Sequence, residues 1–206
     1  MNREPFPGFV DLQVNGFLGT DFSSPDLSAK GFLSCCRKLF AHGTCAFLHT
    51  LISSSLSVYR RNLPLIARLM EDPELDGRAL GFHLEGPFLS PIPGASGIHD
   101  PHLIKKPDIP LLAHLIELAC GRVRLITIAA DQQGAEELTR YAVVRGITVS
   151  LGHHLPFSLV KTIFLAKGSG KVVFIIEANT IPSDNLIRWN PDTGIFISDC
   201  EKENSH

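Results

Sequence analysis

The sequence predicts an α/β protein in which a parallel sheet is covered by helices on its outside. Two observations carry this expectation: short β-rich runs alternate with longer stretches of helical spacing, and the runs are nearly continuous in apolar residues, as strands covered on both faces are. The bulk properties agree, since 206 residues with 44% hydrophobic and 19% charged side chains describe a globular chain rather than a disordered or membrane-spanning one.

Taken in order, "GFVDLQVNG" (8–16) is the first strand and ends on Gln13 and Asn15. A helix is expected near 27–41, then the strand "CAFLHTLI" (45–52), then a helix near 56–70. "RALGFHLEG" (78–86) follows, and its side chains two apart share a face, so His83 and Glu85 point to the same side of the sheet. Helices near 109–119 and 134–145 flank the strand "RVRLITIAA" (122–130). "GITVSLGHH" (146–154), a helix near 157–167 and "KVVFIIEAN" (171–179) complete the pattern. The Pro- and Gly-rich stretch from about 86 to 107 is too long for an ordinary strand-to-helix connection, and loops of that length are usually functional.

Polar residues gather at the C-terminal ends of these strands: Gln13, Asn15, His49, Glu85, Asp131, His153, His154 and Glu177. In parallel α/β folds that is the end where ligands bind. Glu85 suits a metal ligand, a general base or a carboxylate capping the next helix. Either ring of His153-His154 suits a metal ligand or a polar group satisfying the backbone. A carboxylate and an imidazole from two strand ends of one sheet fit an open catalytic metal site better than a closed structural one. His99, in "GASGIHD" of the long loop, reaches over such a site or lies on the surface, and Glu177 ends the last apolar strand, where it could shuttle a proton. The serines at 53–55 and the "GSG" at 168–170 read as turn material without the spacing of a phosphate-binding loop.

Composition also excludes partners. A formal charge of -2 without a basic stripe argues against nucleic acid, and no apolar run reaches the roughly 18 residues of a membrane span. Five cysteines, odd in number and without CxxC spacing, suggest reduced side chains in a cytoplasmic protein.

Five motifs, taken together and in order, resemble the N-acetylglucosamine-6-phosphate deacetylase family of the amidohydrolase superfamily: "PGFVDLQVNG" (7–16), "GTCAFLHTLISS" (43–54), "GFHLEGPFLSP" (81–91), "GIHDP" (97–101) and "GITVSLGHH" (146–154). The resemblance implies a TIM-like (β/α)8 barrel with divalent metal at its C-terminal mouth and a water that attacks the acetamide carbonyl. Carried over by position, Glu85 and His153 are metal ligands, His99 contacts the substrate near its acetyl group, and Glu177 stands where the family has its catalytic aspartate. Gln13 and Asn15 occupy the positions of a second-metal His-x-His pair. Neutral amides bind a divalent ion weakly, which favours one metal, zinc first, with iron or another divalent ion as alternatives. The implied substrate is a small amino-sugar phosphate.

Nothing resembling the family's "THxxNAM" histidine motif follows strand five, so His154 becomes the possible substitute ligand. Only six strand candidates precede residue 180, where a closed barrel needs eight. The resemblance therefore predicts an incomplete (β/α)8 barrel over 1–180 with an irregular tail over 181–206, an internal segment lost near His153, and a shortened C-terminus. Impaired deacetylase turnover is expected from it, with two alternatives: a non-catalytic remnant that binds sugar phosphate or a partner chain, and an amidohydrolase acting on a different amide. Open sheet edges further suggest a homo-oligomer.

Overall fold

The computed structural model describes residues 8–154, together with three short strands at Val172–Phe174, Ile187–Asn190 and Ile195–Ser198. The predicted strands all form: β1 (Phe9–Val14), β4 (Thr44–Ile52), β5 (Ala79–Glu85), β6 (Val123–Ile128), β7 (Thr148–Leu151) and β8 (Val172–Phe174). They make one six-stranded parallel sheet in the order β1-β4-β5-β6-β7-β8. Helices α1 (Ala29–Ala41), α2 (Leu56–Leu69), α3 (Ile109–Leu118) and α4 (Ala135–Val143) fall in the connections. The helix expected near 157–167 lies outside the described residues.

Helix starts follow local chemistry. Ser28 Oγ accepts the Gly31 N–H at 3.0 Å, and Asp108 Oδ1 accepts the Leu111 N–H at 2.7 Å, so each cap satisfies an amide that the first helical turn leaves unpaired. Ser55 plays the same part for α2, accepting from Val58.

The two faces of the sheet differ. Phe47, Leu51, Phe82, Leu84, Ile126, Ile128, Val149 and Leu151 pack in one cluster with Phe32, Leu63, Ile66, Leu115 and Leu138 of the helices. The alternate residues Leu48, Thr50, His83, Glu85, Leu125, Thr127 and Ser150 are also buried, on the inner face. The register aligns Thr50 with His83, Glu85 with Thr127, and Thr127 with Ser150, which stacks the inner polar residues side by side.

The fold is an incomplete TIM-like barrel. Side chains from β1 and from the end of β7 both meet Glu85 on β5 across an intervening strand. Flat neighbours two strands apart would lie roughly 10 Å from each other, so the C-terminal rim curls inward. The outer flank of β1 is unpaired within the described sheet, and Val10 is 57% and Leu12 48% exposed there.

Two antiparallel pairs add to the sheet. β2 (Gly16–Phe17) and β3 (Thr20–Asp21) form a small hairpin directly after β1, while β9 (Ile187–Asn190) and β10 (Ile195–Ser198) pair within the stretch expected to be irregular. Among the described residues no helix is long and apolar enough to cross a membrane.

Candidate metal centre

Glu85 is the last residue of β5 and is 4% exposed. The chain turns away from it through Gly86, at φ +88°, where a side chain would collide with Ser53 Oγ at 2.4 Å from the added carbon. Two amides from the end of β1 hold the carboxylate: Gln13 Nε2 donates to Oε1 at 2.9 Å, and Asn15 Nδ2 donates to Oε2 at 3.3 Å. Burial alone would raise the Glu85 carboxyl, but hydrogen bonding from His153 and His99, the charge of His99 and the Asn15 amide together hold it well below the usual carboxylate range.

His153 follows β7 with φ +54°, a left-handed conformation that is strained for a residue bearing a side chain. Its Nδ1 lies 3.1 Å from the Ala95 carbonyl oxygen and its Nε2 lies 3.3 Å from Glu85 Oε1. A carbonyl only accepts, so Nδ1 carries a proton, and without a second proton on the ring Nε2 would turn a lone pair toward the carboxylate. Gly97, at φ +57°, leaves room for this ring, since an added carbon there would stand 3.2 Å from Cε1 and 3.3 Å from Nδ1.

His99 enters from the long loop. It is 2% exposed, lies edge-on to His153 with ring centroids 4.5 Å apart, and brings Nε2 to 3.9 Å from Glu85 Oε1. Its Nδ1 accepts the Ser53 N–H at 3.3 Å and lies 3.0 Å from Ser53 Oγ. The long loop and two strand ends thus bring Glu85, His99 and His153 together, with one potential donor atom of each lying within 4.8 Å of the other two. A cleft of about 700 Å³ opens onto Glu85 and His153, walled by the β2–β3 hairpin and by Gly97 and Ile98.

A buried carboxylate with two imidazoles beside it suits a divalent cation of borderline softness, and the facing lone pairs of His153 Nε2 and Glu85 Oε1 call for a positive charge between them. The residues present therefore fit a metal ion.

The other expected residues divide. His83 shares the inner face with Glu85, but its Nδ1 meets Thr50 Oγ1 at 3.3 Å and its Nε2 meets Thr127 Oγ1 at 2.7 Å. Burial lowers its pKa to about 4 and keeps it neutral. His154 is half-buried and does not belong to the donor group. Asp131 accepts from the Gln132 side chain at 3.0 Å, away from that group. His49 was expected at the ligand-binding rim, but its side chain faces the helices, among Phe22, Phe32, Phe47 and Phe82 at ring distances of 4.7–6.0 Å. The strand pleat explains this, since His49 alternates with the inward Thr50. Glu177 lies outside the described residues. Ser53, Ala95 and Gly97 carry the two rings, and sequence reasoning passed over them because they act through backbone groups or through lacking a side chain.

Comparison with known proteins bears on this geometry. No family model matches the chain. It is 38% identical over 154 residues to N-acetylglucosamine-6-phosphate deacetylase of Caenorhabditis elegans, a match covering 71% of this chain and 36% of that protein. The Homo sapiens protein of the same name is 34% identical over 150 residues, with the same two coverages of 71% and 36%. Among solved structures, the D267A mutant of the Mycobacterium smegmatis deacetylase in complex with N-acetyl-D-glucosamine-6-phosphate superposes with a TM-score of 0.65 at 29% identity, covering 73% of this chain and 37% of that one. The Pasteurella multocida N-acetylglucosamine-6-phosphate deacetylase also gives 0.65, at 27% identity over 76% of this chain and 40% of its own. The chain spans somewhat more than a third of the length of the curated relatives it matches.

Proposed function

We propose that this chain, which belongs to the N-acetylglucosamine-6-phosphate deacetylase family, contributes the metal-binding rim of a deacetylase site for an N-acetylated amino-sugar phosphate. The observation that carries the reading is the contact between His153 Nε2 and Glu85 Oε1 at 3.3 Å, with the opposite ring nitrogen committed to the Ala95 carbonyl. Two lone pairs at that distance repel unless a cation, or a second proton on the imidazole, lies between them. A metal ion is the reading favoured by the relatives' amide chemistry.

Glu85 and His153 would hold the ion, zinc ahead of iron. A divalent cation there supplies Lewis acidity, polarising an amide carbonyl and acidifying water. Gln13 and Asn15 keep the carboxylate aimed at the ion by donating to both of its oxygens. His99 faces the same point from the loop and contacts the acyl group of the substrate. Glu177 passes a proton to the departing amine. Two protein ligands are fewer than the three usual for catalytic zinc, so turnover by the chain alone is slow. A cytoplasmic setting belongs to the same proposal, in keeping with the free cysteines Cys35, Cys36, Cys45 and Cys120.

The test is zinc titration by calorimetry together with acetate release from N-acetylglucosamine 6-phosphate, on the chain as it stands and after chelation. Stoichiometric zinc with slow, metal-dependent acetate release supports the reading. Absence of zinc binding near neutral pH refutes the metal reading, and equal acetate release before and after chelation refutes the hydrolytic one.

A further inference from the structure

We infer that Asn62, on the outer helix α2, is a positioning residue for Glu85 that acts at a distance: it fixes the base of the β2–β3 hairpin and, through it, the Asn15 amide that donates to the carboxylate. The inference deepens the functional reading and rests on it for the use made of Glu85, but the linkage itself is a property of the metal-free chain.

A buried asparagine is out of place in this helix. Tyr59, Leu63, Ile66 and Ala67 form the buried face of α2, and Asn62 stands among them, fully buried, where the helical period calls for an apolar side chain. Burying an amide is unfavourable unless its polar atoms find partners. Here they do. Nδ2 donates to the Phe22 carbonyl at 2.9 Å and to the Ser24 carbonyl at 2.8 Å, and Oδ1 accepts from Arg61 Nη1 at 2.8 Å. Turning the amide over would set its oxygen against two carbonyls and its NH2 against a guanidinium, so the network admits one orientation. Arg61 adds a bond of its own to the Leu27 carbonyl at 2.7 Å. Two adjacent side chains of α2 thus grip the backbone between residues 22 and 27.

That backbone leads directly to the site. The Phe22 N–H donates to the Asn15 carbonyl at 2.9 Å, closing the base of the hairpin next to the Gly16–Asp21 pair. The Asn15 side chain then donates to Glu85 Oε2 at 3.3 Å. Three hydrogen bonds therefore join Asn62 to the carboxylate. A side strut stiffens the same base, since Ser23 Oγ accepts the Ile52 N–H at 3.0 Å while the Tyr59 hydroxyl donates to the Ile52 carbonyl at 3.0 Å. Both the hairpin and Ile52 line the cleft.

The second donor to Glu85 takes another route. Gln13 reaches Oε1 from the end of β1, which is paired with β4, and no bond of the hairpin base intervenes. Glu85 is thus held by one amide that depends on α2 and by one that does not, and this asymmetry separates positioning from general support of the fold.

The decisive measurement follows the side-chain amide resonances of Asn15 and Gln13 by 1H–15N NMR in the metal-free, 15N-labelled full chain, assigned with Asn15→Ala and Gln13→Ala. Asn62→Leu keeps the size of the side chain and deletes its donors, so the Asn15 amide should shift and the Gln13 amide should stay. The Phe22 backbone amide should exchange with solvent about tenfold faster, measured against the strand amide of Leu84. A role confined to stability would loosen both donors alike, so movement of both resonances, or of neither, overturns the inference. If Asn62→Leu does not fold, Arg61→Ala decides, because that exposed side chain fixes the same amide through Oδ1. A shift confined to the Asn15 amide then upholds the inference, and any other pattern overturns it. Zinc titration supplies the functional arm: Asn62→Leu should weaken binding about as much as Asn15→Ala, roughly tenfold, and add nothing in the double variant. Additive losses overturn the route through Asn15. The expected split of the two resonances without zinc uptake upholds the linkage and refutes the metal reading instead.

Discussion

Replacing His49 with leucine should flatten the acid side of the stability profile. The imidazole is fully buried against Phe22, Phe32, Phe47 and Phe82, its Nδ1 meets the Gly81 carbonyl at 3.1 Å, and its Nε2 has no hydrogen-bond partner among the described residues. Burial lowers its pKa from 6.5 to about 4, with the Gly81 contact opposing. Between those two values the unfolded chain binds a proton that the folded chain refuses. Stability contributed by the neutral ring is therefore complete above 6.5 and is lost as pH falls toward 4. At about 1.4 kcal/mol per pH unit the full loss is about 3 kcal/mol, most of it reached by about pH 4.5. Leucine gives up the bond to Gly81 and removes an unpaired polar atom, two effects of about 1 kcal/mol each that oppose one another near neutrality. Urea unfolding at about pH 7.5 and about pH 4.5 measures the difference. The native chain should lose about 2–3 kcal/mol more than His49→Leu across that interval, while the contribution of His83, present in both proteins, cancels. Equal losses in the two proteins would mean that His49 does not stay neutral in its cage, and the argument from burial would be wrong.

Four further outcomes are expected. Glu85→Gln removes the only charge among the candidate ligands and should weaken zinc binding by roughly a hundredfold or more in calorimetry. Gln13→Ala deletes the 2.9 Å donor to that carboxylate and should cost roughly tenfold in the same titration. In Gly97→Ala the new carbon meets the His153 ring at 3.2–3.3 Å in a left-handed backbone; melting should show a loss of about 1 kcal/mol or more, and zinc binding should fall with it. Val10→Lys places a charge on the unpaired flank of β1 and should reduce self-association in light scattering, whereas unchanged association would locate the contact elsewhere.

The six parallel strands were legible because each is a short apolar run with a glycine within two residues before it, and the three helices expected from spacing near 27–41, 56–70 and 109–119 begin at the caps Ser28, Ser55 and Asp108. The faces of those strands were less so. Covered on both sides, "CAFLHTLI" shows no polar alternation to say which way His49 points, and only the packed sheet reveals that Thr50 is inward and His49 outward. The β2–β3 hairpin, with two residues in each strand, is too short to leave a periodic signal. Glu85 and His153 could be paired from their positions at strand ends. For His99 the residues alone left a place over the site and a place on the surface both open, and only the resemblance favoured the site, since its approach depends on how a loop of more than twenty residues folds back over the rim.

The same division between faces sets what mutations can do. The apolar cluster that stabilises the sheet lies between the strands and the helices, with Phe47, Phe82, Ile126 and Val149 at its centre. The candidate ligands stand on the opposite side, at the rim, where Glu85 is held by Gln13 and Asn15 and the two rings are held by backbone groups of Ser53 and Ala95. Removing a ligand therefore takes away little of the packing that keeps the chain folded, and a change on the helix side need not touch the ligands. Zinc affinity and unfolding free energy in metal-free protein should vary independently across Glu85→Gln and His49→Leu. Gly97→Ala is the exception that tests the rule, because its added carbon strains the backbone and presses on His153 at once. If Glu85→Gln destabilised the metal-free chain by as much as a large core truncation, about 3 kcal/mol, the rim would be part of the folding core and the separation would fail.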